Sequence, residues 1–221
     1  MKRKAMLIAE RIKKQTEVYA HFLEKEELFN IQMNSGVLSA ESYASFLFNI
    51  EYLIKHTPIH LKLALKKTET NPELHEYFRN KFDEEQGHDE WAIEDRKKVM
   101  KKIDNAAFFP QVSLEMWRYV RELEAVIDRD PRLYLTYIFY TEYLTVLVAN
   151  RMKIGLGKCG FGDNPVEVLT KHAELDVHHT AEGMEAIKTF LPQTEEFSQK
   201  VTNQLKTFIE LHILMWKACV S

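Results

Sequence analysis

Residues 133–149 read LYLTYIFYTEYLTVLVA, and Glu142 is the only acidic or basic side chain in the stretch apart from the tyrosines. A helix that is apolar on nearly every side offers no face to water, so it belongs at the centre of a bundle or in a membrane. Arg132 and Arg151 bracket a segment shorter than the ~20 residues of a membrane span, and the rest of the chain reads as amphipathic. The bundle centre is therefore the expected place. There Glu142 has no water to face, so its carboxyl must be paired, protonated or bound to a cation.

The remaining sequence supplies helices to surround it. Glycine and proline number only 7 and 6 in 221 residues, which favours long helices over many short strands. Asn71-Pro72, Asp130-Pro131 and Asn164-Pro165 each place a capping side chain before a proline suited to the first helical turn. Glu167 stands three residues after Asn164 in capping-box spacing, and Ser39, Ser113 and Thr194 are further caps. These signals predict a first helix to residue 33 with a break near 20. Further helices are expected over 40–68, 72–102, 113–128, 131–154, 165–191 and 194–218. Loops are expected at 34–36, 104–111 and 155–164, the last with four of the seven glycines. No internal repeat, low-complexity tract or strand-period segment stands out. The expectation is an all-α bundle of about seven helices, residues 1–221 forming one domain whose core spans about 39–218 with the first helix packed on it.

The net charge of −3 with no basic excess gives no footing for nucleic-acid or anionic-membrane binding. Cys159 and Cys219 form no disulfide framework, and the N-terminus lacks the apolar core of a secretion signal. A cytoplasmic protein is expected.

Chemistry concentrates in three segments. In HAELDVHH (172–179), His172, Asp176 and His179 fall within about 60° of one another on a helical wheel. Leu169, Leu175, Gly183, Ile187 and Phe190 continue their stripe, whereas Glu174 and His178 point away. A single histidine on such a stripe is satisfied by one hydrogen bond. Two imidazoles and a carboxylate together cost several kcal/mol to bury, which a metal ion would offset. In FDEEQGHDEW (82–91), Glu85 lies three residues before His88, the Glu-x-x-His spacing of carboxylate-bridged iron bundles, and Glu84 lies four before it. Gly87, read as mid-helical, costs about 1 kcal/mol relative to alanine and suggests a close neighbour. Glu142 completes a set of six oxygen and nitrogen donors without cysteine, suited to iron or manganese rather than structural zinc.

EEQGH on one helix, a lone Glu in an aromatic-rich helix some 55 residues on and H-x-x-x-D-x-x-H after a capped loop resemble the haem-oxygenase-like di-iron oxidase/oxygenase superfamily. These are the iron-containing redox relatives of thiaminase-II and pyrroloquinoline-quinone synthase. The resemblance spans about residues 39–218 and implies a haem-oxygenase-like helical bundle. It implies Glu85 (or Glu84), His88, Glu142, His172, Asp176 and His179 as ligands of two Fe(II) ions that activate O2. The implied substrate is an amino acid, amine or fatty acid, undergoing N-oxygenation or C–C cleavage. An external electron donor and a homodimer accord with the family's habits. Some members carry the first Glu seven residues before the His, where this chain has Lys81. Some members add a carboxylate from an earlier helix, for which Glu51 is the candidate.

Tyr137, Phe139, Tyr140 and Tyr143 are candidates to line a substrate cavity, and Arg151 or Lys153 to meet a substrate carboxylate. His56 and His60 have ligand spacing, but Pro58 between them is expected to kink their helix. His21 lacks any supporting pattern for haem. Two other functions remain in view: ferritin-like iron storage, and thiaminase-II-like catalysis without a cofactor, for which Cys159 would be the nucleophile.

Overall fold

In the computed structural model, which describes residues 7–162 and 166–220, every regular element is helical. The α-helices run α1 Ile8–Lys25, α2 Leu28–Ser35, α3 Ala40–Lys67, α4 Pro72–Glu84, α5 Asp89–Met100, α6 Leu114–Arg129, α7 Tyr134–Leu156, α8 Glu167–Phe190 and α9 Glu195–Ala218. The apolar segment is α7, where Tyr134 through Tyr140 are all buried. It packs against α1, α2, α6, α8 and α9, while α3 holds α4, α5 and α6 in a second group. No helix among the described residues is long and apolar enough to cross a membrane.

Local signals set most helix starts. Ser39 Oγ accepts from the Ser42 N–H at 3.1 Å, Asn71 Oδ1 from Leu74 at 3.2 Å, Ser113 Oγ from Met116 at 3.0 Å and Thr194 Oγ1 from Phe197 at 3.2 Å. Each satisfies an N–H that the first turn would leave unpaired. Asp130 accepts from Arg132 at 3.1 Å and starts a 3-10 turn, Pro131–Leu133, that leads into α7. The expected Asn164-Pro165 cap lies outside the described residues. What the structure shows at that end comes from another helix: Asp95 Oδ2 of α5 accepts the Val168 N–H at 2.9 Å.

Three expectations change. The break in the first helix falls at Glu26–Glu27 rather than near 20, because buried Ala20 continues the α1 face and the Glu27 carboxylate caps α2 through Asn30 at 3.0 Å. The single helix over 72–102 is two helices. Gly87 stands between them at φ +81°, and a β-carbon there would meet nothing within 4 Å. The glycine therefore serves the left-handed turn itself, not the approach of a neighbour. The loop expected over 155–164 is shorter: α7 runs to Leu156, because a glycine at 155 costs a helix only about 1 kcal/mol. A tight turn then covers Gly157–Phe161, with Gly160 at φ +80°. The helix expected over 40–68 is α3, which includes Pro58. The two splits account for nine α-helices among the described residues where about seven were expected.

Candidate metal centre

The α8 stripe delivers its three polar residues inward. Asp176 and His179 are buried and His172 is partly so, whereas Glu174 and His178 face water. Leu175, expected on the same stripe, is 38% exposed, so the buried face is narrower than its apolar residues imply. Gly183 lets α8 close on α7, since a β-carbon there would lie 3.2 Å from Phe139 Cδ2 and 3.3 Å from Glu142 Oε2. Across that contact His179 Nδ1 lies 3.5 Å from Asp176 Oδ1 and 3.8 Å from Glu142 Oε1.

The six residues singled out in the sequence meet as two triads. Glu85, His88 and His172 bring one ligand atom each within 4.8 Å of one another, as do Glu142, Asp176 and His179. In the first triad Glu85 Oε2 is 3.3 Å from His88 Nδ1, and the His88 and His172 rings meet edge-on at 5.3 Å. His172 Nδ1 lies 2.7 Å from the Val168 carbonyl. A carbonyl can only accept, so Nδ1 carries the proton and Nε2 keeps the lone pair that a metal needs. Both Glu candidates are near the site, in different places. Glu85 belongs to the first triad, whereas the exposed Glu84 forms an outer group with His179, at 3.6 Å, and Glu182. Glu51 belongs to none of these groups, because Lys55 at 2.6 Å and Arg96 at 2.8 Å already neutralise it.

Burial governs the electrostatics. It pushes the Glu142 carboxyl up to about 7, beyond what Lys81 recovers, with Asp176 adding to the rise. Asp176 is likewise raised by burial, against the contact with His179. His179 is raised chiefly by Asp176. Burial also works to raise Glu85, but His88, His172 and Lys81 hold it below the usual carboxylate range. His88 Nδ1, Glu142 Oε2 and His179 Nδ1 are buried without a hydrogen-bond partner among the described residues. Buried polar atoms are seldom left so, and imidazole and carboxylate donors of this kind suit iron. The residues fit a bound metal ion.

A residue noted only as a departure in the sequence proves central. Lys81 is 3% exposed, with Nζ 3.2 Å from Glu142 Oε1, 3.3 Å from Glu84 Oε2 and 3.5 Å from Glu182 Oε2. Its spacing, four before Glu85 on a helix, carried the signal. Trp91, stacked on His88 at 4.2 Å, could be read from the same stripe, whereas no local pattern announces Asp95 as the partner of α8.

Beside the triads lies a cavity of about 180 Å³, with walls that include Leu53, Leu61, Ile138, Leu144 and Val148 and a polar end formed by Lys81, Glu85, Glu142, His172 and Asp176. Of the four aromatic candidates only Tyr137 lines it. Tyr140 bonds His212 Nδ1 at 2.9 Å, Tyr143 donates to Glu17 at 2.7 Å and Phe139 packs beneath Gly183. Arg151 is paired with Glu24, Lys153 is exposed, and neither reaches the cavity. His56 is engaged with the Tyr52 carbonyl at 2.7 Å, while burial lowers His60 to about 3. His21 is exposed on α1. Cys159 donates to the Met33 carbonyl at 3.3 Å, and neither cysteine lines the cavity.

A sequence profile of a family described as iron-containing redox enzymes matches residues 46–212, more than half of the chain. Curated protein sequences give no match. Among solved structures, a domain of unknown function with a heme oxygenase-like fold from Shewanella denitrificans OS217 superposes with a TM-score of 0.82 at 14% identity, covering 97% of this chain and 93% of that one. Heme oxygenase-1 from the cyanobacterium Synechocystis sp. PCC6803, solved with heme, gives 0.71 at 14% identity over 96% and 92%. A TenA homologue from Pseudomonas syringae pv. tomato gives 0.68 at 13% identity over 100% and 98%. The fold is the haem-oxygenase-like bundle.

Proposed function

The chain belongs to the iron-containing redox enzyme family, and from that membership we propose that it is a non-haem iron oxidoreductase that uses dioxygen to oxidise a small, largely apolar molecule. The observation that supports this reading is the convergence of Glu85, His88 and His172 and of Glu142, Asp176 and His179 in two triads, of which Glu85, Glu142, His172 and Asp176 line an apolar cavity. Iron bound there supplies the electrons that dioxygen needs. The protein's own residues do the rest. Val168 fixes the His172 tautomer, Asp176 orients His179, and the aliphatic walls hold a substrate bond next to the centre while keeping water out. Six donors suffice for two ferrous ions, the complement the resemblance implies.

At about 180 Å³ the cavity is below the roughly 300–1,000 Å³ of pockets for drug-sized ligands, which suits a small substrate. The aliphatic walls suit the apolar part of an amino acid, an amine or a fatty acid. Dioxygen takes four electrons in full reduction, so an external donor completes the balance wherever the substrate supplies only two.

Anaerobic titration with ferrous iron, followed by exposure to oxygen with a panel of small apolar amines, amino acids and fatty acids, tests the reading. Saturable iron binding that His172→Ala abolishes, and oxygen uptake that depends on one of these compounds, are expected. Failure of the intact chain to bind iron would sink the proposal. Accumulation of ferric mineral without substrate turnover would favour storage instead.

A further inference from the structure

Lys81 separates two spaces. It lines the apolar cavity on one side and, on the other, an acidic opening whose lining includes Glu84, Glu182 and Glu185. Its ammonium is buried in α4 and reaches across to Glu142 on α7 and Glu182 on α8. A protonated lysine has no lone pair and cannot ligate a metal. It is a fixed positive charge set among carboxylates.

We infer that the two triads are not equivalent: this chain binds a single divalent ion, at Glu85, His88 and His172, and the Lys81 ammonium takes the place of a second ion at Glu142, Asp176 and His179. The inference rests on the iron-centre reading above and replaces the pair of ions the family resemblance implies. Two observations carry it. First, Glu142 Oε1 is the oxygen that both Lys81 Nζ, at 3.2 Å, and His179 Nδ1, at 3.8 Å, approach. An ion at the ~2.0–2.2 Å typical of a metal–carboxylate bond would share that oxygen with a cation already in place. Second, no ion pair links Lys81 to Glu85 among the described residues, so Lys81 acts on the first triad only at longer range and occupies none of its oxygens. Lys81 then acts as a positioning residue that neutralises and orients Glu142 from within the fold.

The test is metal stoichiometry of the full chain, measured by anaerobic equilibrium dialysis with ferrous iron and by electron paramagnetic resonance with Mn(II). The wild type should bind about one ion per chain and give the spectrum of an isolated Mn(II). His172→Ala should lose that ion, and Asp176→Asn should retain it. Lys81→Glu, or Lys81→Met should the first variant not fold, should gain a second ion and the spectrum of a coupled pair. Two ions in the wild type would overturn the inference and leave the iron-centre reading intact. So would one ion persisting in both folded Lys81 variants. No ion in the wild type would overturn the iron-centre reading itself.

Discussion

Replacing Gly87 by alanine separates two accounts of the segment that carries Glu85 and His88. In a continuous helix over 72–102, Gly→Ala would stabilise the protein by about 1 kcal/mol through helix propensity. In the structure Gly87 sits at φ +81° between α4 and α5. A residue with a β-carbon costs roughly 1–2 kcal/mol in that conformation. Alanine's smaller unfolded-state entropy returns about 0.4–1 kcal/mol. No steric cost adds to this, because nothing lies within 4 Å of the new β-carbon. The net expectation is a loss of about 1 kcal/mol, opposite in sign to the helical account. Gly87→Asn should lose less, since asparagine tolerates the left-handed region. Urea denaturation of the metal-free protein, read by far-UV circular dichroism, measures the difference as a shift in midpoint at constant slope. Alanine that leaves the midpoint unchanged or raises it would refute the left-handed break. It would also remove the geometry that stacks His88 on Trp91.

Three further outcomes follow from single contacts. Asp95 is wholly buried, and burial raises its carboxyl from 3.8 to about 6 despite the Val168 N–H. A raised folded value contributes stability that is fully present below about pH 4 and is lost as the pH rises through about 6. Relative to Asp95→Asn, the wild type should therefore lose up to roughly 3 kcal/mol between those limits, and parallel stability curves for the two proteins would contradict this. Tyr140→Phe removes the partner of His212 Nδ1, a ring that burial keeps neutral by lowering it to about 3. A loss of about 1–2 kcal/mol in denaturation is expected, with no pH dependence between 5 and 8. Gly183→Val should drive α8 from α7 against Phe139 and Glu142 and cost about 1–3 kcal/mol by overpacking.

The features legible in the sequence were those decided within a few residues. Ser39, Asn71, Ser113 and Thr194 each bond an N–H three positions on, so spacing alone reveals them. Glu142 was legible for a related reason: a helix with no polar face leaves a carboxylate nowhere to go but the interior, whatever packs around it. The errors arise where a distant partner decides. Gly87 looks mid-helical because both flanks are helix formers, and only the turn between α4 and α5 needs its positive φ. Glu51 looks available until Arg96, 45 residues away, closes on it at 2.8 Å. Asp95 has no local reason to be buried, since the N–H it satisfies belongs to Val168 on another helix. Lys81 joins the two classes. Its phase on α4 was readable, but a lysine at a ligand position reads as a missing donor. Only the fold shows that its ammonium reaches Glu142, Glu84 and Glu182 at once. Under the inference drawn for Lys81, counting ligands along the sequence overstates the metal content of this site, because one of its charges is supplied by the protein.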